Sequence, residues 1–173
     1  MRDEAEEPAT IWENDRVGAG MRRWAREFPD IDCSGKAVVG RLLHLHEVIL
    51  KSVNRTLAKH RLKYPAYAVL ATLRVEGAPY RMSPKALLDS LILTSGGLSN
   101  LLRKLEDTGH IQRMADETDG RGVIVELTEK GRRVVEPAMR DHAETERRLV
   151  GALSGDEQDA VARALGRMML GKL

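Results

Sequence analysis

The fold is decided by the stretch SPKALLDSLILTSGGLSNLLRKLEDTGHIQRMADETDGRGVIVEL, residues 83–127. Ser83 followed by Pro84 predicts the start of a short helix, because a serine hydroxyl caps free amides and proline fits the first helical position. Thr94 predicts the start of a second helix, and Gly109 predicts its end. The residues that follow predict a two-stranded ribbon, so the stretch has the order helix, turn, helix, ribbon.

The second helix of this stretch has two different faces. Four leucines recur at helical spacing and predict one buried stripe, while the opposite face carries small polar or cationic side chains. Small side chains let a helix backbone approach a surface closely, and the major groove of DNA admits one helix that reads base edges by hydrogen bonds. The leucines are Leu98, Leu101, Leu102 and Leu105, and the polar residues are Ser95, Ser99, Asn100, Arg103 and Lys104.

An arginine is predicted at the tip of the ribbon. Arg121 lies between Gly120 and Gly122, where its side chain can reach a minor groove or a phosphate. Asp119 can accept from its guanidinium and hold it in place. Ribbons of this kind also occur in protein-interaction modules, but small polar residues at a helix start together with an arginine at a hairpin tip favour DNA binding.

The stretch resembles the winged-helix domain of the MarR family, the multiple-antibiotic-resistance regulators. The resemblance rests on LTSGGLSNLLRKLEDTGHIQR, on the D-x-R pattern of Asp119 and Arg121, and on VELTEKG before the next helix, and it covers about residues 36–170. It implies a mainly α fold with a small β-wing, in which a winged helix-turn-helix is flanked by N- and C-terminal dimerisation helices. It also implies a homodimer on a pseudo-palindromic double-stranded DNA operator.

The order of segments predicts one compact domain overall. Its parts are a disordered acidic tail at residues 1–10, N-terminal and dimerisation helices at 11–62, the winged helix-turn-helix at 63–127 and C-terminal dimerisation helices at 128–173. The flanking helices carry more apolar side chains than a winged helix can cover, which independently predicts a homodimer. Helices are expected over residues 11–28, 35–59, 65–75, 129–149 and, after a Ser154/Glu157 capping box, up to about 169, with a short strand at 81–82.

Composition limits the class of protein. The formal net charge is only +2, but residues 1–32 hold 5 basic and 9 acidic side chains and residues 33–73 hold 7 and 1. A specific DNA reader needs only a few well-placed cations. One cysteine excludes an internal disulfide framework, and the absence of a secretory or long apolar segment predicts a soluble cytoplasmic protein without a membrane partner.

The predicted function is that of a sequence-specific DNA-binding transcriptional regulator, a dimeric repressor released from its operator by a small aromatic or phenolic effector. Two alternatives remain open: a winged-helix protein-interaction module without DNA binding, and a peroxide-sensing regulator acting through Cys33. Some MarR relatives sense peroxide through a cysteine near a helix start, and Cys33 precedes the long N-terminal helix. The expected DNA contacts are Lys85, Ser95, Gly97, Ser99, Asn100, Arg103, Lys104 and Arg121.

One wall of the predicted effector pocket comes from a second resemblance. RRWAREFPDIDCSGKAVVGRL and LRVEGAPYRMSP resemble a MarR subgroup with an extra N-terminal helix that binds urate and related aromatic anions, in which the tryptophan matching Trp24 lines the pocket. Packing of the extra helix is the other interpretation of Trp24. Rings for stacking and cations for a carboxylate are the groups an aromatic acid needs. A generic MarR-type pocket would lie among the first, second and fifth main helices, and its candidates are His44, His46, Tyr64, Tyr67 and Arg74.

Neither a metal site nor a catalytic site is predicted. Five histidines and one cysteine show no zinc spacing, and the chain has no glycine-rich phosphate loop. Glu106 and Asp107 are adjacent on the second helix, with no partner evident in the sequence. We therefore expect no cofactor and no enzymatic activity.

Overall fold

The structure is a computed structural model that describes residues 15–91, 93–116 and 122–171. Within them lie seven helices and a three-stranded antiparallel sheet, so the predicted mainly α fold with a small β-wing is confirmed. The helices are α1 (Arg16–Glu27), α2 (Lys36–Ala58), α3 (Tyr64–Val75), α4 (Pro84–Ser90), α5 (Ser95–Asp107), α6 (Glu129–Leu149) and α7 (Gly155–Leu170). The strands are β1 (Arg81–Met82), β2 (Ile111–Ala115) and β3 (Val123–Leu127).

The chain divides between residues 50 and 51 into two compact units. The four segments predicted from the sequence, with boundaries after residues 10, 62 and 127, stay a prediction. The predicted acidic tail lies outside the described residues. None of the helices in the described ranges is long and apolar enough to cross a membrane.

Helix starts follow the capping residues read from the sequence. The side-chain oxygens of Ser83 and Thr94 each accept a backbone N–H three residues on, at 3.1 Å, and Thr128 does the same at 3.0 Å. Ser154 and Glu157 form the predicted capping box at the start of α7. Each bond satisfies an amide that has no partner within its helix, which fixes where the helix begins.

The core of the second unit is built around α5. Leu98, Leu102 and Leu105 are buried, as predicted, whereas Leu101 is half-buried. They pack in one cluster with apolar residues of α3, α4, the sheet and α6. Further buried members of the cluster are Val69, Leu70, Leu73, Leu87, Ile111, Val125, Leu127 and Val135.

The sheet has the strand order β1-β3-β2, with both pairs antiparallel. Ile111 is opposite Leu127 and Arg113 is opposite Val125, so β2 and β3 form the two long strands of the ribbon. The predicted short strand at Arg81 and Met82 is confirmed and pairs with β3.

Helix α6 joins the ribbon to the C-terminal part of the chain. Its first turn contains Gly131, which is buried, and its middle contains Pro137. Farther along, Thr145 bonds Thr56 of α2 at 2.8 Å, and Asp141 lies 2.8 Å from Nε2 of His60. These contacts hold the second half of α6 against the end of α2.

In the first unit, α1 begins at a capped aspartate. Asp15 accepts backbone N–H groups from Val17 and Gly18 at 2.8 Å, and its second oxygen accepts from Nε of Arg41 at 2.8 Å. These bonds lower the pKa of Asp15, the Gly18 amide first and the Arg41 guanidinium after it. A side chain at Gly40 would meet Val17 at 3.0 Å, so α1 lies close to α2 here.

Large apolar side chains of α2 and α7 are exposed on the single chain. Met169 and Leu170 are 82% and 88% exposed, which is unusual for a folded chain without a partner. The others include Val38, Val39, Leu43, Leu45, Ile49, Val161 and Met168. Such faces agree with helices that pair with a second copy.

Candidate DNA interface and ligand-binding clusters

The start of α5 is shaped for close approach to another surface. Thr94 caps the helix, and a Cβ on Gly97 would lie 3.0 Å from the Thr94 hydroxyl oxygen, so a glycine leaves the cap undisturbed. A Cβ on Gly96 would meet nothing within 4 Å. The first turn therefore exposes backbone with little side chain over it.

Every predicted contact residue on α4 and α5 is exposed. The buried leucines turn the opposite face of α5 outward, which is the face that carries the short polar side chains. Nη2 of Arg103 donates to Oδ1 of Asn100 at 3.1 Å, so these two side chains are aligned along the helix. The exposed residues are Lys85, Ser95, Gly97, Ser99, Asn100, Arg103 and Lys104.

The predicted tip of the wing, with Asp119 and Arg121, lies outside the described residues. The strands that carry it are described on both sides, from Ile111 to Asp116 and from Gly122 to Leu127. The amide of Asp116 donates to the carbonyl of Gly122 at 2.9 Å, which continues the pairing toward the tip. The part played by Asp119 and Arg121 stays a prediction.

An ion pair that was not predicted from the sequence joins α5 to the wing. Oε1 of Glu106 accepts from the backbone N–H of Arg113 at 3.2 Å, and Oε2 accepts from Nε at 2.7 Å and also from Nη2. The Arg113 guanidinium lowers the pKa of Glu106. Glu106 therefore has a partner, seven residues away across a helix-turn-strand reversal, which neither helical nor strand periodicity could reveal.

The end of α5 is also fastened to the start of α6. Nζ of Lys130 donates to the carbonyl oxygen of Thr108 at 2.7 Å, and the Thr128 hydroxyl donates to the carbonyl oxygens of Gly109 and His110 at 2.8 and 3.0 Å. Burial, and then Lys130, lower the pKa of His110. Thr128 and Lys130 of the motif VELTEKG thus join the end of α5 to the start of α6.

Three of the predicted pocket residues belong to the first unit. Trp24 is 39% exposed on α1, next to Phe28, and Nζ of Lys36 lies 4.1 Å from its ring centroid. His44 and His46 are exposed on α2. Trp24 thus forms a local aromatic and cationic cluster, and its role toward a ligand stays a prediction.

Tyr64 and Tyr67 form an aromatic cluster with a histidine that was not predicted from the sequence. The His142 ring lies 4.6 Å from the Tyr67 ring and 6.2 Å from the Tyr64 ring, between centroids. His142 is buried, and its Nε2 has no hydrogen-bond partner among the described residues, while Nδ1 is 3.2 Å from Glu146. A buried polar atom without a partner costs free energy unless something binds it.

Arg74 lies in a different arrangement. Its Nε donates to Oε1 of Glu136 at 2.7 Å, and its guanidinium lies 5.1 Å from the Tyr80 ring centroid, at the same distance as that of Arg132. Glu136 raises the pKa of Arg74. Arg74 also lines an open cleft of about 280 Å³ with Val75, Glu136, Met139 and Arg140.

Cys33 is half-buried in the turn before α2, and its carbonyl accepts the amide of Lys36 at 3.0 Å. Within the described ranges, three or more His, Cys, Asp or Glu side chains nowhere gather as metal ligands would.

Comparisons with known proteins identify the family. The model of the family described as transcriptional regulator SarA/Rot matches residues 51–137. The transcriptional regulator PecS of Dickeya dadantii is 31% identical over 148 residues, which cover 86% of this chain and 89% of PecS. A mutant of MarR from E. coli, solved in complex with operator DNA, superposes with a TM-score of 0.69 at 22% identity, over 84% of this chain and 96% of that one. The chain belongs to the MarR family.

This MarR-family chain is a DNA-binding transcriptional regulator, and family membership decides against an interaction module that never touches DNA. A further similar fold is that of BpsR from Bordetella bronchiseptica, with a TM-score of 0.70 at 22% identity over 78% of this chain and 94% of BpsR. The DNA binding of BpsR is regulated by 6-hydroxynicotinic acid.

Proposed function

We propose that this MarR-family regulator is a homodimeric repressor that binds a pseudo-palindromic operator and is released by a small aromatic or phenolic acid. No catalytic step is part of the proposal. The observation that carries it is the two-sided character of α5, in which three of the four leucines are buried while the polar face is exposed. A two-fold dimer would place two such helices about one DNA turn apart, which matches two half-sites.

The proposed DNA contacts are of three kinds: with base edges, with phosphates and with the minor groove. Ser95, Ser99, Asn100 and Arg103 would face base edges, because these short donors and acceptors and the guanidinium suit major-groove recognition. Lys85, Lys104 and the exposed backbone at Gly97 would contact phosphates, which adds affinity without sequence preference. Arg121 would enter the minor groove.

The effector would bind at the cluster of Tyr64, Tyr67 and His142. The two tyrosines offer aromatic faces, and Nε2 of His142 is a buried polar group that an acid or phenol could satisfy. Trp24, His44, His46 and Arg74 remain further candidates. The effector must bind more tightly to a dimer whose recognition helices do not match the operator, since equal affinity for both states would shift nothing.

Fluorescence anisotropy tests DNA binding. The purified protein is titrated with labelled DNA that flanks its own gene, and with a scrambled duplex, at two salt concentrations. We expect selective binding that weakens steeply with salt, because each neutralised phosphate releases counterions. Equal affinity for both duplexes would contradict sequence-specific repression. Arg103→Ala should weaken operator binding about five- to 150-fold, whereas Arg147→Ala, away from α5, should leave it unchanged.

Effector release is tested on the same complex with urate, salicylate and 6-hydroxynicotinate. One of them should dissociate the operator complex. His142→Phe keeps an aromatic ring but removes both ring nitrogens. It should therefore raise the effector concentration that releases half of the operator DNA by about tenfold or more, while the affinity for DNA without effector stays unchanged. If no compound releases the DNA but peroxide does, and Cys33→Ser abolishes that effect, the regulator is a redox sensor instead.

A further inference from the structure

The ion pair between Glu106 and Arg113 lies between the two elements that the proposed function places on DNA. Glu106 is in the last turn of α5, one turn after Arg103, and Arg113 is the third residue of β2. Three hydrogen bonds join them, and one of these goes to the backbone of the strand. The wing strand is therefore held to the recognition helix by both its main chain and its side chain.

Stability does not explain this arrangement. The side chains of Glu106 and Arg113 are 33% and 39% exposed, and exposed ion pairs contribute little to the free energy of unfolding. The adjoining core residues Leu105 and Ile111 are buried and already hold α5 against β2. What the ion pair adds is a fixed angle, because two guanidinium N–H groups bind Oε2 of Glu106 while the backbone N–H of Arg113 binds Oε1. Charge-assisted hydrogen bonds of this kind are directional in a way that leucine packing is not.

A small error in this angle would grow along the wing strand. A strand rises about 3.3 Å per residue, so the three residues from Arg113 to Asp116 correspond to a lever of about 10 Å. A rotation of about 10° at Arg113 would displace the end of that lever by roughly 1.7 Å. Hydrogen-bond distances vary by only about 0.5 Å, so a displacement of this size would break a contact between the wing and DNA.

We propose that Glu106 and Arg113 are positioning residues for DNA binding. Their ion pair fixes the wing relative to the recognition helix, so that both engage the same operator half-site. The inference rests on the proposed function, specifically on the contact of Arg121 with DNA. Glu106 does not contact DNA in this proposal, because its carboxylate would repel the phosphates. It acts by holding the wing in position.

The sign of the effect separates this role from simple electrostatics. Glu106→Gln removes a negative charge from a DNA-binding helix, which by charge alone should strengthen binding. Positioning instead requires that Glu106→Gln weaken operator binding by about fivefold or more, with an unchanged melting temperature. Asp107→Asn is the matched control, because it removes the same charge next door while leaving all three hydrogen bonds between Glu106 and Arg113 in place, and it should not weaken binding.

A double-mutant cycle with Arg121→Ala decides whether the effect passes through the wing. We expect Glu106→Gln to change the affinity of the Arg121→Ala protein less than about twofold, since the contact it positions is already gone. The exchanged pair, Glu106→Arg with Arg113→Glu, should recover most of the affinity lost by either single change.

Three results would overturn the inference. They are unchanged or tighter binding by Glu106→Gln, an equal loss in the presence and absence of Arg121, and no recovery by the exchanged pair. If Arg121→Ala weakens binding but Glu106→Gln does not, the positioning role is refuted while the proposed contact of Arg121 with DNA is supported. If Arg121→Ala has no effect on binding, the positioning role and the proposed contact are both refuted.

Discussion

Gly131→Ala is expected to destabilise the protein, although alanine normally stabilises a helix relative to glycine. A Cβ at this position would lie 2.2 Å from the carbonyl oxygen of His110 and 2.6 Å from Cδ1 of Leu127. The leucine methyl can turn away, but the carbonyl is backbone. It accepts from the amide and the hydroxyl of Thr128 at 3.1 and 3.0 Å, so it cannot move without breaking these bonds.

The magnitude follows from three contributions. Overpacking against a fixed neighbour costs up to about 3 kcal/mol, and one weakened hydrogen bond costs about 1 kcal/mol more. The helix preference for alanine offsets up to about 1 kcal/mol. The net loss is therefore roughly 1 to 3 kcal/mol, which corresponds to a fall in melting temperature of roughly 2 to 12 °C for a chain of this size.

Thermal unfolding followed by circular dichroism measures the change, at one fixed protein concentration because dimerisation contributes to stability. Gly20→Ala is the control. It lies inside α1, and a Cβ there would meet nothing within 4 Å, so its melting temperature should be equal to or above that of the wild type. A Gly131→Ala protein that melts as high as the wild type would refute the close approach of α6 to the His110 carbonyl.

Three further outcomes are expected. Leu105→Ala should lower the free energy of unfolding by roughly 2 to 5 kcal/mol in urea titrations, because it opens a cavity in the α5 core, and an unchanged midpoint would contradict its burial. Burial raises the pKa of Tyr67 to about 12. The contribution of Tyr67 to the free energy of unfolding should be fully present below pH 10, where the unfolded tyrosine is neutral, and should be lost between pH 10 and 12. In pH-dependent melts, Tyr67→Phe should make this loss smaller. Met169→Asp should shift the protein to monomer in sedimentation, because Met169 is 82% exposed on the single chain, and a mutant that remains dimeric would place the interface elsewhere.

Local signals predicted the fold well. The capping residues Ser83, Thr94, Thr128 and Ser154 each begin a helix, because capping is a local bond between a side chain and an amide two or three residues away. The leucine stripe of α5 was correct for three of its four members. Leu101 is only half-buried, since it lies at the edge of the stripe and periodicity does not define where a stripe ends.

Most contacts between different helices and strands were not predicted from the sequence. The partner of Glu106, the burial of His142 and the pairing of Arg74 with Glu136 all depend on how helices and strands are placed in three dimensions. His142 had no local signal, because it is one histidine in a charged, amphipathic helix. The pair Glu106 and Arg113 could have been suggested by opposite charges on either side of a predicted helix-turn-strand reversal.

Pro137 gives α6 a mechanical property that a continuous helix would lack. Proline has no N–H to donate to the carbonyl four residues earlier, that of Arg133, so the helix is more easily bent at this point. The half before it is fastened to the recognition helix through Lys130, and the half after it carries His142. With a rise of about 1.5 Å per residue, the start of α6 is about 12 Å from Pro137, so a change in bend of about 10° would shift it by roughly 2 Å. Under the proposed function, an effector at His142 would therefore act on DNA affinity by altering the angle of α6 at Pro137 rather than by melting a structure.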